Sequence, residues 1–191
     1  MRYISTMSAH VGTANLPRFL MAAILVASVG VLAAALVGEH VFGLEPCELC
    51  LYQRVPFVVT GALAGLGLIL SLRGKAGTWP VAACAVVFFA GAGLAFYHVG
   101  VEQHWWASVT ACGGDLSSGL SIEELQKQLS APPRKPCDQV DWTFLGLSLA
   151  GYNVIASLIL AVACVVGARR IKRDMKTWTR KPESPGGFPA T

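Results

Sequence analysis

Cys47-Glu-Leu-Cys50 places two thiols at the spacing used for reversible dithiol–disulfide chemistry. Arg54 follows Cys50 by four residues and would share its helix face. A helix N-terminus and a nearby guanidinium both favour a thiolate, the form that attacks disulfides. An arginine at the mouth of an apolar segment is also a candidate ligand-binding group, set against the plainer role of reaching to lipid headgroups. Cys112 and Cys137 lie 25 residues apart in a long polar stretch. Gly113-Gly114 leaves the backbone beside Cys112 open to another chain, and Ala131-Pro-Pro-Arg-Lys-Pro136 carries extended chain into Cys137. Such a pair is either a permanent staple or an exchanging disulfide, and the neighbouring C-x-x-C favours exchange.

Other chemistries fit less well. Four cysteines with His98 and His104 could hold zinc, but structural zinc sites use paired short spacings and only one short pair is present, so no metal is expected. Leu51, not His, follows Cys50, which excludes covalent c-type haem. His98 either satisfies a neighbouring carbonyl or joins Arg54 at a common depth. Cys84 and Cys164 read as small buried hydrophobes, and Trp105 and Trp106 as part of an interfacial aromatic belt.

The elements that must position these groups are membrane helices. Of 191 residues, 54% are hydrophobic and 14% charged, and the mean hydropathy is +0.55. That charge density cannot cover a soluble domain of this size. The net charge of +4 is no argument for nucleic acid, because the basic residues fall where membrane topology places them. Four segments are long and apolar enough to span: about 19–37, 51–72, 79–101 and 142–167. Without period-two alternation, the expected fold is an all-α bundle of four transmembrane helices. Gly61-x-x-x-Gly65 would permit close helix packing within it.

Lys and Arg flank these spans unevenly. Arg2 and Arg18 precede the first, Arg73 and Lys75 follow the second, and seven more follow Gly167. The opposite side has only Lys127, Arg134 and Lys135 in its loops and nine of the eleven acids. Both termini (1–18 and 169–191) are therefore expected in the cytoplasm, with loops 38–50 and 102–141 outside. A cleaved signal peptide is the rival for the first span, although 19 apolar residues exceed an ordinary signal core. Cys47, Cys50, Cys112 and Cys137 then all face an oxidising compartment, where an even number suggests two disulfides with three possible connectivities. The second loop should carry a short amphipathic helix over Ser121–Leu129, capped by Ser121 and Glu124, able to lie on the membrane surface. The Pro/Gly-rich end from Lys181 is expected to lack structure.

Pro46-Cys47-Glu48-Leu49-Cys50-Leu51-Tyr52-Gln53-Arg54, the four spans, the separated second-loop cysteines and Trp142-Thr-Phe-Leu-Gly-Leu-Ser148 together resemble the DsbB family of inner-membrane thiol oxidoreductases over about residues 17–170. The resemblance implies a protein-dithiol:quinone oxidoreductase that reoxidises a periplasmic DsbA-like thioredoxin-fold partner and reduces a membrane quinone, ubiquinone or menaquinone. It implies that Cys112 meets the partner and that Cys137 exchanges with the Cys47–Cys50 disulfide through a Cys47–Cys137 bridge. Cys50 is then left as the thiolate facing the quinone, which Arg54 holds, with a histidine near the position of His98 beside it. Cys84 and Cys164 lie outside the family's pattern. A quinone reductase resembling the vitamin K epoxide reductase family is the nearest rival, although there the C-x-x-C follows a late span. A non-catalytic membrane subunit with two structural disulfides is the other.

Overall fold

The computed structural model describes residues 2–75, 77–108, 122, 126, 135–140 and 142–179, with side chains described within Asn15–Thr177. Five helices carry the architecture: α1 (Arg2–Val41), α2 (Glu48–Tyr52), α3 (Arg54–Leu72), α4 (Trp79–Glu102) and α5 (Leu149–Thr179). A two-stranded hairpin, β1 (Thr143–Phe144) and β2 (Leu147–Ser148), precedes α5. Four segments are long and apolar enough to cross a membrane: Asn15–Val41, Glu48–Leu72, Trp79–Glu102 and Leu149–Thr177. The second of these is α2 and α3 together, joined through Gln53.

Each boundary has a local cause. Gly43, at φ +66°, ends α1, and the Leu44 N–H returns to the Gly38 carbonyl at 3.1 Å. Pro80 sits in the first turn of α4, where its missing N–H costs nothing. The fourth apolar run does not begin a helix at Trp142, as hydropathy alone suggests. Leu145 and Gly146 take positive φ (51° and 79°) and turn the chain back, pairing Thr143 with Ser148 and Phe144 with Leu147. Ser148 then caps α5, its Oγ accepting the Gly151 N–H at 3.2 Å.

α4 packs most extensively on α5 and α1 on α3, with α3 against α4 joining the two pairs. The core holds Met21 and Ile24 of α1, Phe57 and Ala64 of α3, Val81, Cys84, Ala85 and Phe88 of α4, and Ala161, Cys164 and Ile171 of α5. Cys84 and Cys164 are thus packing residues, as expected. Phe57 and Phe88 meet edge to face at 5.9 Å between ring centroids. Ser28 and Thr60 share a buried hydroxyl–hydroxyl bond at 2.9 Å between α1 and α3. Of the Gly61/Gly65 pair, Gly61 approaches α1, where a Cβ would lie 3.6 Å from Ser28 Cβ, while Gly65 faces open space. A tighter contact than that at Gly61 joins α4 to α3 at Gly91, where a Cβ would stand 3.0 Å from Pro56 Cβ. Arg18 donates to the Ser71 carbonyl (Nη2, 3.1 Å) and so caps the C-terminal end of α3.

Of the second-loop helix only Ile122 and Gln126 are described, both helical; the rest of Ser121–Leu129, Cys112 and the tail from Lys181 lie outside the described residues.

Candidate functional site

Cys47 is the N-cap of α2, in extended backbone (φ −71°, ψ 171°). Its Sγ accepts the Cys50 N–H at 3.3 Å and lies 3.0 Å from Cys50 Sγ, to which the Cys47 thiol donates. The capping sulfur at the helix N-terminus is therefore that of Cys47, not of Cys50. Donation to Cys50 Sγ, reinforced by burial, pushes the Cys47 thiol up to about 12. The two thiols are thus unequal by construction, with Cys47 holding the proton.

Cys137 lies against this pair. It is 1% exposed and shares a buried cluster with Cys47, Leu49 and Val101, against which Cys50 and Tyr97 pack. The structure therefore brings three of the four expected exchange cysteines together.

Arg54, one helical turn beyond Cys50, forms an ion pair through Nη1 with Glu39 Oε2 of α1 at 2.9 Å, with both side chains partly exposed (23% and 32%). A cavity of about 410 Å³ opens between α1, the α2–α3 segment and α5. Its walls are mainly aliphatic, from Val31, Leu32, Ala34, Ala35, Leu44, Leu149, Ala150 and Ala156, with Phe57 at its side. Cys50, Gln53, Arg54, Glu39 and Asn153 supply its polar points. An apolar cavity of this size with a few convergent polar groups suits a small, flat, lipid-soluble ligand.

His98 is not among the residues lining that cavity. It is 3% exposed and borders a smaller space of about 40 Å³, lined also by Cys47, Cys50, Glu102, Gln139, Val140 and Trp142. Its Nε2 is 3.5 Å from Cys47 Sγ and 3.9 Å from Glu102 Oε1, and its Nδ1 accepts from Gln53 Nε2 at 2.6 Å. Arg54 and His98 therefore border different spaces, and of the two only Arg54 lines the larger cavity. Cys50 borders both spaces.

Gln53, Asn153 and Ser157 were not expected at the site. Asn153 Nδ2 donates to Gln53 Oε1 at 2.5 Å, and Ser157 Oγ donates to Asn153 Oδ1 at 3.1 Å, so a polar chain runs from α5 through Gln53 to α4. The available signal was an amide and a hydroxyl one turn apart, Asn153 and Ser157, in an otherwise apolar span. Glu102 also accepts from the Ser148 hydroxyl, which ties the start of α5 to the end of α4. The Cys47 and Cys50 sulfurs and a His98 ring nitrogen lie within 4.8 Å of one another. Two sulfurs 3.0 Å apart are also close enough to move into a disulfide bond of about 2.05 Å, and the third cysteine beside them favours exchange.

A family model, Disulfide bond formation protein DsbB, matches residues 17–167. Disulfide bond formation protein B of Paracidovorax citrulli is 31% identical over 180 residues, covering 91% of this chain and 94% of the relative. The protein of the same name from Marinobacter nauticus is 35% identical over 163 residues (80% and 93%), and that of an Acidovorax species 34% identical over 156 residues (78% and 86%).

Proposed function

The chain belongs to the family of disulfide bond formation protein DsbB, and from that premise we propose that it reoxidises a periplasmic DsbA-like thioredoxin-fold protein and passes the electrons to a membrane quinone. It is a membrane thiol oxidoreductase that generates disulfides; the rival readings as a vitamin K epoxide reductase-like enzyme or a non-catalytic subunit are not favoured. The observation that carries the quinone half of the proposal is the placing of Cys50 and Arg54 on one aliphatic cavity among membrane-spanning helices. Its localisation is the bacterial inner membrane with both termini cytoplasmic, supported by the uneven distribution of Lys and Arg.

Membership of the family implies the sequence of exchanges, and the burial of Cys137 beside Cys47 supports it. The partner's thiolate attacks Cys112 of a Cys112–Cys137 disulfide, forming a mixed disulfide and releasing Cys137 as thiolate. Cys137, buried beside Cys47, attacks Cys47 Sγ and breaks the Cys47–Cys50 bond. Cys50 leaves with the electron pair and, among the described residues, is the only exchange cysteine on the cavity wall. A bound quinone, whether ubiquinone or menaquinone, supplies a two-electron, two-proton acceptor. Arg54 keeps one edge of its guanidinium on Glu39 and offers the remaining N–H donors to a carbonyl oxygen. The aliphatic walls exclude water and leave the ring plane to Cys50.

The test is quinone reduction driven by a reduced thioredoxin-fold partner, with the four single cysteine variants alongside. Cys50→Ala should abolish quinone reduction yet still trap the partner at Cys112. Unimpaired reduction by that variant, or Cys47–Cys50 and Cys112–Cys137 bridges that never exchange with the partner, would sink the proposal.

A further inference from the structure

His98 touches a reacting sulfur, and nothing in the cycle above uses it. Its ring is fixed at both nitrogens: Nδ1 by Gln53 at 2.6 Å, and Nε2 toward Cys47 Sγ at 3.5 Å. Gln53 is itself 6% exposed and is held by Asn153, which is held by Ser157. With Gln53 donating to Nδ1, a neutral ring carries its proton on Nε2 and presents it to the sulfur. Amide oxygen and nitrogen are nearly isosteric, so turning over Gln53 and Asn153 together reverses every donor. Nδ1 then carries the proton and Nε2 can accept, with the Ser157 hydroxyl, which can donate or accept, closing the far end either way. The chain therefore supports both tautomers without leaving a buried amide unpaired.

We propose that His98 exchanges a proton with Cys47 Sγ during the disulfide cycle, and that Gln53, Asn153 and Ser157 position its ring for this task. The proposal rests on the thiol–disulfide reading above and assigns His98 to the sulfurs, not to the quinone. When Cys112, freed as the partner's second thiol closes the partner's own disulfide, attacks Cys137 Sγ, Cys47 leaves with the electron pair of the Cys47–Cys137 bond and takes the Nε2 proton of a His98 imidazolium, which leaves the ring neutral and protonated at Nδ1. When Cys47 later attacks Cys50 Sγ, its proton returns to Nε2 and restores the imidazolium as the new S–S bond closes. A quinone bound at Cys50 would take up the electron pair that leaves Cys50, so the two sulfurs end oxidised. One proton thus shuttles between Cys47 and His98 in each cycle. The titratable groups facing the ring are Cys47 and Cys50 from the α2 segment and Glu102 on its own helix, with the Cys137 backbone from the second loop. The Glu102 carboxylate, 3.9 Å from Nε2, is placed to balance an imidazolium.

The experiment uses the full chain carrying Cys50→Ala, Cys112→Ser and Cys137→Ser, and follows alkylation of Cys47 by a small neutral reagent across pH, read by mass spectrometry. Adding His98→Ala should slow the reaction at pH 7 by at least about tenfold and move its pH profile toward that of an unassisted thiol. Gln53→Met and Asn153→Leu, which keep the ring but cut the chain, should each slow it about threefold and shift the profile in the same sense. If His98→Ala does not fold, these two variants carry the test. Unchanged rates and profiles would overturn the proposal, and so would a His98→Ala effect confined to the quinone KM. Alkylation needs neither partner nor quinone, so failure of the wild-type chain to reduce quinone would count against the proposed function alone.

Discussion

Arg54→Lys keeps the positive charge at the cavity but removes the planar fork. In the structure Arg54 pairs through Nη1 with Glu39 at 2.9 Å, and the proposed function requires an N–H on a quinone carbonyl as well. An ammonium group can serve both only by moving between them. A hydrogen bond from a charged donor contributes about 1.5–3 kcal/mol, and each 1.4 kcal/mol is about tenfold in affinity. Allowing for what a lysine recovers, the quinone KM should rise roughly tenfold, with the KM for the partner unchanged. The assay is steady-state quinone reduction at varied quinone, driven by excess reduced partner. Arg54→Met separates binding from architecture. It leaves Glu39 without its cation; the side chain is 32% exposed but its Oε2 is buried, so the stability loss should be about 1–3 kcal/mol. Adding Glu39→Gln should recover that loss and leave the KM high. A quinone KM within twofold of wild type in both Arg54→Lys and Arg54→Met would refute the reasoning and reduce Arg54 to a tie between α1 and α3.

The raised Cys47 thiol makes alkylation of the reduced protein ordered. With its pKa at about 12, its thiolate fraction at pH 8 is on the order of 10⁻⁴ and rises with pH, so mass spectrometry at pH 8 should find Cys50 modified well before Cys47. Equal rates would contradict the hydrogen-bonded arrangement. Gly91→Ala places a methyl 3.0 Å from Pro56 Cβ, a ring that cannot swing aside, and should lower stability by about 1–3 kcal/mol in thermal unfolding; a neutral result would mean that α3 and α4 separate freely. Thr60→Val leaves the buried Ser28 hydroxyl without its 2.9 Å partner and should cost about 1–2 kcal/mol by the same measurement, whereas Thr60→Ser should be close to neutral.

The four spans were legible because a bilayer imposes a one-dimensional rule, about 20 residues without charge, and the sequence obeys it. Hydropathy sees composition but not φ. Trp142–Ser148 is apolar enough to count toward a span, yet Leu145 and Gly146 turn it into a hairpin and the helix waits for the Ser148 cap. The exchange cysteines were legible as types and spacings, and the structure brings Cys137 to Cys47. The polar chain was not, because its members come from three helices: Gln53 lies 45 residues from His98 and 100 from Asn153. Glu39 was read as a loop acid and a marker of sidedness; it lies in the last turns of α1 and pairs with Arg54. His98 was placed by depth alone, and depth does not say which side of a neighbouring helix a ring will face.

Cys50 borders two spaces that otherwise share only Leu149 and Ala150. A small molecule filling the larger one meets the sulfur in a space that His98 and Glu102 do not line. An inhibitor built for that cavity would compete with the electron acceptor while leaving the sulfur exchange with the loop untouched. The enzyme would then accumulate loaded with electrons and joined to its client, a form that could be isolated and weighed. Compounds aimed at the smaller space would give the opposite signature, an oxidised enzyme that no client can discharge.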